Sequence, residues 1–220
     1  MAKTVFIIHT SSVSVADLNG LFAELAPGVV VRNIIDDSLL PEVLANGGVT
    51  PGVRRRLCQY AVQAEAAGAS LIFNQCSSVG EVADIAAQMV KVPLVKVDER
   101  MAETACRSGT HIGVVATLPT TMGPTVRLIR RMAHKLGKDI AVTEELTPGA
   151  FEKLISGDRK AHNEMVIASI RTLAERVDVV VCAQGSMLAL KPDLGETPVP
   201  VLMSPPLGVG HAIEVLNTLP

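Results

Sequence analysis

The chain has 220 residues, 48% of them hydrophobic but only 2% aromatic, no Trp, and a formal net charge of -2. That length suits one large domain or two of roughly 100 residues each. The near-neutral charge and scarcity of rings exclude a general nucleic-acid groove, which needs a basic stripe and stacking aromatics. Arg54-Arg55-Arg56, the densest basic cluster, reads as the solvated face of a helix.

No apolar stretch approaches the length of a membrane-spanning helix, so no membrane partner is expected. The N-terminal apolar run, Val5 to Ile8, is too short for a secretory core, and a cytoplasmic location is expected. The cysteines at 58, 76, 106 and 182 match no zinc spacing and no CxxC pair. Free thiols and no metal site are the expectation.

Taken in order, Val5 to His9 reads as a strand ending in the polar turn Thr10-Ser11-Ser12. A helix over Asp17 to Leu25 stops at Pro27-Gly28, and Val29 to Ile35 is a second strand. Asn46-Gly47-Gly48 reads as a flexible connection. Thr50 caps a helix that starts on Pro51, a favoured first position for proline, and runs to Ala67. Ser70 to Asn74 is a third strand, with the turn Gln75-Cys76-Ser77-Ser78 after it; Ser78 with Glu81 reads as a capping box. Pro93 to Val97 is the fourth strand.

The pattern then repeats. Glu99 to Arg107 is helical, His111 to Ala116 is a strand ending at Thr117, and Thr125 to Leu136 is a helix closed by Gly137. A strand over Ile140 to Thr143 precedes a helix from Asp158 to Arg176. His134 and His162 fall on the solvated faces of these helices. A strand over Asp178 to Val181 ends at Cys182; a short strand over Val199 to Met203 and a helix over Gly208 to Leu216 close the chain. Repeated strand–helix–strand units predict an α/β fold with parallel sheets covered by helices. Each half has a Thr after its first strand and a Cys after a later one, and the spacing from Thr10 to Cys76 is within one residue of that from Thr117 to Cys182. Two similar α/β halves are therefore expected, the second starting after the fourth strand.

In open parallel sheets, ligands bind beyond the carboxyl ends of the strands. The segments ending there are small and polar, and the adjoining helix N-termini can hold an anion. The candidate substrate-binding residues are Thr10, Ser11, Ser12, Asn74, Ser77, Ser78, Thr117, Thr120, Gln184 and Gly185. Cys76 and Cys182 are the candidate catalytic thiols. Each precedes an expected helix start, a setting that lowers a thiol pKa. Facing each other across an interdomain cleft, one would remove the α-proton of a carbon acid and the other would deliver a proton to the opposite face. His9 and His211 are possible accessory residues; a Cys76–His9 pair would also suit a hydrolase. No glycine-rich nucleotide loop is present.

These residues carry a resemblance to the aspartate/glutamate/hydantoin racemase superfamily: Thr10-Ser11-Ser12, Cys76-Ser77-Ser78, Ile112 to Thr117, and Cys182-Ala183-Gln184-Gly185-Ser186-Met187. The resemblance covers essentially the whole chain. It implies two pseudo-twofold-related Rossmann-like domains, residues 1–97 completed by the returning C-terminal segment 205–220, and residues 98–204, with an active site that takes one cysteine from each half and no cofactor. The implied activity is racemisation or epimerisation of a small anionic or ureido carbon acid. Decarboxylation of a malonate-type acid or a maleate-type isomerisation is the alternative on the same fold. A non-catalytic small-ligand-binding module is the second alternative. A homo-oligomer, dimer or higher, is expected. Gln184 departs from the Thr-His that comes after the second cysteine in glutamate racemases and from the compact Cys-Ala-Gly of hydantoin-type members.

Overall fold

The computed structural model describes residues 2–220, and the chain divides into two compact units, Met1–Val97 with Pro205–Pro220, and Asp98–Ser204. Unit 1 contains β1 (Thr4–His9), α1 (Val15–Leu25), β2 (Val30–Ile35), α2 (Leu39–Ala45), α3 (Pro51–Ala66), β3 (Leu71–Asn74), α4 (Gly80–Ala86) and β4 (Leu94–Lys96). Unit 2 contains α5 (Glu99–Ser108), β5 (His111–Ala116), α6 (Pro119–Lys135), β6 (Ala141–Leu146), α7 (Ala150–Ile155), α8 (Arg159–Ala174), β7 (Val179–Cys182), α9 (Lys191–Leu194) and β8 (Val201–Met203). The last helix, α10 (Ser204–Thr218), carries the chain back into unit 1.

Each unit is built on a four-stranded, all-parallel sheet. The strand order is β2-β1-β3-β4 in one and β6-β5-β7-β8 in the other. The two orders are the same arrangement, as the repeated pattern along the chain requires. The central strands are buried along almost their whole length, which explains the continuous apolar runs Leu71 to Phe73 and Val179 to Val181. The edge strands β2 and β6 pair on one side only and tolerate Arg32, Asn33, Glu144 and Glu145.

In unit 1, alternate residues of each strand feed two cores. Val5, Ile7, Leu71 and Phe73 pack with Leu18 and Phe22 of α1 and with Val209, Ala212 and Leu216 of α10. Phe22 and Phe73 meet edge to face, with ring centroids 5.7 Å apart. Ile8 and Ile72 point to the other face, under Val53, Leu57 and Ala61 of α3. The returning α10 can dock only because residue 208 is glycine: a Cβ there would lie 2.4 Å from the Val97 carbonyl oxygen. Lys3 Nζ donates to the carbonyls of Leu216 and Leu219 at 2.7 and 2.8 Å, closing the end of that helix. In unit 2 a Cβ on Gly113 would lie 2.6 Å from Leu173, so β5 gives up a side chain to let α8 approach.

Thr50 caps α3 as its sequence predicts, the hydroxyl accepting from the Val53 N–H at 3.1 Å. Other elements differ from the sequence reading. α2 occupies a stretch without a legible pattern, because the burial of Leu39 and Val43 stabilises a helix too short to show periodicity. α6 starts at Pro119 rather than Thr125. Pro124 lies inside it and gives up one backbone bond, while Thr121, Met122, Thr125 and Val126 are buried along that face. The short helices α7 and α9 leave no mark in the sequence pattern, and α10 begins at Ser204. His162 is buried on α8 rather than solvated. Among the described residues, no helix is long and apolar enough to cross a membrane.

Candidate active site at the end of the first sheet

In the order β2-β1-β3-β4, the connections from β1 and β3 leave toward opposite edges of the sheet. The gap beyond the carboxyl ends of β1 and β3 is the topological switch point where such sheets place ligands. Thr10 comes after β1 there and Cys76 after β3. The Gln75 N–H donates to the Ile8 carbonyl at 3.2 Å, so Cys76 lies one residue past the last rung of the ladder. Its backbone is extended, and Ser77–Val79 then forms a single 3-10 turn leading into α4.

That turn folds four donors around the Cys76 sulfur: the Thr10 hydroxyl, the Ser78 hydroxyl, and the N–H groups of Ser78 and Val79. The residue is half-buried. Burial pushes the thiol up from its ordinary value, and the hydrogen bonds work against that without overcoming it. The lowering expected from a helix start is therefore corrected. At neutral pH the resting form is S–H, and the four donors are placed to hold the thiolate left once the proton has gone. Ser78 does not cap α4, since Val79 precedes that helix with no side-chain cap; the Ser78 hydroxyl serves the sulfur instead.

The turn is held from behind. The Asn74 side-chain amide donates to the Cys76 carbonyl at 3.0 Å. Asn74, a candidate binding residue in the sequence, is fully buried and its amide is used by the Cys76 carbonyl. Gln75 Nε2 donates to the buried Ser14 hydroxyl, tying the turn after β3 to the turn after β1. Sequence reasoning assigns no role to Ser14 or Gln75; the only signal is their place in two hydroxyl-rich strand-end segments. Ser11 is half-buried and Ser12 exposed, while Ser77 is buried.

The turn after β1 is braced by the connection from β2. The Leu40 N–H donates to the Thr10 carbonyl at 3.4 Å. Arg56 on α3 pairs with Asp36 at 3.0 Å and with Glu42, and the Tyr60 hydroxyl donates to Asp36 at 2.7 Å. Burial would raise the Asp36 pKa, but hydrogen bonds from Ser38 and Tyr60 and the Arg56 guanidinium outweigh it and hold the carboxyl below its ordinary value.

His9 does not pair with Cys76. It is buried, its Nε2 lies 2.8 Å from Asn33 Oδ1 on β2, and its Nδ1 has no partner. The ring thus reaches away from β3. Burial lowers its pKa against the hydrogen bond with Asn33, so it is neutral. His211 lies on α10, 3.6 Å from Glu214 one turn on.

Unit 2 repeats the backbone of this site but not its chemistry. Val5 is level with Leu71 in unit 1, and Ile112 is level with Val179 in unit 2, a register longer by one residue. The bond equivalent to Gln75–Ile8 is the Ala183 N–H to the Val115 carbonyl, at 2.9 Å. The residue after it, Gln184, therefore occupies the position of Cys76, and Cys182 occupies that of Asn74. Gln184 also makes the equivalent contact: its Oε1 accepts from the Thr117 N–H at 2.6 Å, and its amide meets the Thr117 hydroxyl at 2.8 Å, where Cys76 meets Thr10.

Cys182 is inside β7, fully buried among Val115, Val180, Met187 and Ile170. Burial alone pushes its thiol up to about 12. At the end of β7 the sulfur of this candidate second thiol lies in the core under α8, an arrangement that the one-residue offset in the sequence spacing hides. Thr117 is buried and bonded to Gln184; Thr120 Oγ1 is buried on α6 with no partner; Gly185 is partly exposed. Cys58 and Cys106 are buried. No group of three or more His, Cys, Asp or Glu among the described residues is placed to hold a metal ion.

A family model described as Asp/Glu/hydantoin racemase matches residues 6–212. No curated protein sequence matches the chain. Among solved structures, the glutamate racemase isoform RacE1 from Bacillus anthracis superposes with a TM-score of 0.77 at 14% identity, over 98% of this chain and 82% of that one. An aspartate racemase homologue from Pyrococcus horikoshii OT3 gives 0.69 at 19% identity, over 99% and 100%. The allantoin racemase from Klebsiella pneumoniae gives 0.65 at 15%, over 98% and 88%. At these identities the likeness is one of fold.

Proposed function

The chain belongs to the Asp/Glu/hydantoin racemase family, and we propose that it is a cofactor-independent enzyme acting on a small carboxylate-bearing carbon acid, with Cys76 as its single reacting thiol. The reaction that fits best is decarboxylation of a malonate-type acid. The observation that carries this reading is the unit 2 register, which puts Gln184, an amide with no acid–base function, at the position of Cys76.

Racemisation through two opposed thiols needs an acid and a base on opposite faces of the substrate carbon. One thiol serves one face. In the proposed step the bond to one carboxylate breaks, CO₂ leaves, and the electron pair stays on the α-carbon, delocalised into the remaining carboxylate. The Cys76 S–H then protonates that carbon, forming the C–H bond. The thiolate left behind is held by Thr10, Ser78 and the Val79 N–H until water returns a proton. The upward displacement of the thiol suits a proton donor rather than a resting base. Ser11 and Ser12, the accessible hydroxyls of the adjoining turn, are the candidate ligands of the remaining carboxylate. Val13 and Ile35, exposed apolar side chains at the same end of the sheet, suit an apolar substituent better than a second charge.

The family match favours a second reading, racemisation with a base other than Cys182. Both are tested by incubating the protein in D₂O with arylmalonates, maleate, both enantiomers of aspartate and glutamate, 5-substituted hydantoins and allantoin, and reading the products by NMR. Release of CO₂ with one deuterium on one face of the product, lost in Cys76→Ala, is the expected result. Interconversion of enantiomers without CO₂ would replace it with the second reading. Activity that survives Cys76→Ala would overturn both.

A further inference from the structure

We infer that Asn74 is a positioning residue for the Cys76 thiol, fixing the turn that aims its donors at the sulfur; this rests on the reading of Cys76 as the reacting group. Asn74 ends β3 with both strand neighbours in place: its backbone carbonyl accepts from the Val97 N–H at 3.0 Å, and the residue lies level with Ile8 on β1 and Lys96 on β4. A side chain there has no structural need to be polar. One end of its amide is nevertheless used, donating to the Cys76 carbonyl at 3.0 Å. The other end, Oδ1, is buried without any partner.

An orphaned buried carbonyl oxygen costs stability. The molecule contains its own control for the demands of that position. Cys182 stands at the equivalent place in unit 2, fully buried in an apolar cluster, and that strand end folds without an amide. The two strand ends differ in the group just beyond them, a thiol in unit 1 and an amide in unit 2. Asn74 is thus a residue that weakens the fold and supports the site, the pattern of a functional position.

The mechanism is local. The Cys76 carbonyl accepts from Asn74 Nδ2 and, at 3.3 Å, from the Val79 N–H. These two bonds orient the Cys76–Ser77 peptide and with it the 3-10 turn whose Ser78 and Val79 N–H groups converge on the sulfur. Without the amide the carbonyl keeps one partner, the turn is free to rotate, and the sulfur loses part of its donor set.

The test is Asn74→Ala, with Asn74→Ser as a second variant whose hydroxyl is too short to span to the carbonyl. Three quantities are read: the melting temperature, kcat on whichever compound of the panel above the wild type converts, and the rate of Cys76 alkylation by iodoacetamide against pH. The titratable groups on the surrounding elements are His9 on β1, Lys96 on β4 with its partner Asp84 on α4, and Glu81 in the first turn of α4; all are retained in both variants. The expected result is an unchanged or raised melting temperature, a kcat about tenfold lower with KM little changed, and an alkylation midpoint moved to higher pH. A lowered melting temperature with unchanged kcat and an unchanged alkylation profile would overturn the inference and leave Asn74 a structural residue. Because alkylation needs no turnover, it tests the positioning of Cys76 even if Cys76→Ala proves fully active and the functional reading falls.

Discussion

Units 1 and 2 share a strand order, parallel pairing and the bond that starts the turn after the second central strand, yet they place different chemistry on that common backbone. Unit 1 carries an amide inside the strand end and a thiol beyond it. Unit 2 carries a thiol inside and an amide beyond it. The thiol beyond the strand is surrounded by donors, and the thiol inside it by apolar side chains. The same residue type is thus a candidate reagent in one half and a core residue in the other, and two positions along one strand end separate the two roles. Cys76 lies past the last rung of the β1–β3 ladder, where the chain turns and brings donors around its sulfur, while Cys182 still belongs to β7 and is packed in the core under α8, so position, not identity, decides the surroundings of each thiol.

Substituting the two thiols in turn puts this contrast under the greatest strain. Cys76→Ser is expected to lower kcat/KM by about a thousandfold or more while leaving the melting temperature nearly unchanged. Cys182→Ser is expected to do the reverse, keeping activity per folded molecule and costing about 1–3 kcal/mol, because it buries a hydroxyl without a partner; denaturant titration and steady-state kinetics read both. Equal loss of activity in the two variants would restore a two-thiol mechanism.

Gln184→Cys narrows the contrast from the other side, since it gives unit 2 a thiol at the position of Cys76. Deuterium exchange into both enantiomers of the product, absent in the wild type, is the expected gain, read by NMR in D₂O. Thr10→Val removes one of the donors to the Cys76 sulfur. A hydrogen bond to a charged group contributes about 1.5–3 kcal/mol, so a fall in kcat of about tenfold or more is expected, with a further rise in the alkylation midpoint.

The smallest effect concerns His9, whose equivalent in unit 2 is Ala116. Burial lowers the His9 pKa below 6.5 in the folded state, so the unfolded chain binds the proton more readily. Its contribution is full above about pH 6.5 and is lost as the pH falls from there toward the folded value. The melting temperature is expected to decline over that range in the wild type and less steeply in His9→Gln. An identical decline in both would mean that other groups cause it.

The architecture is legible in the amino-acid order alone. Apolar runs of strand length alternating with helical patterns, repeated once, specify two parallel α/β units, and Thr50-Pro51 marks a helix start by local chemistry. Cys76 and Thr10 are also placed at strand ends without coordinates, because a hydroxyl-rich turn after a buried strand is visible in the residues themselves. The exchange of roles in unit 2 emerges only from the folded chain. The spacing from Thr117 to Cys182 nearly repeats that from Thr10 to Cys76, but the β5–β7 register is one residue longer than the β1–β3 register. That offset depends on how the intervening helices pack, which no local pattern records. The direction of the thiol pKa is hidden for the same reason: desolvation is set by what the rest of the chain lays over the sulfur, and at Cys76 it outweighs the pull of the surrounding donors, while at Cys182 nothing opposes it.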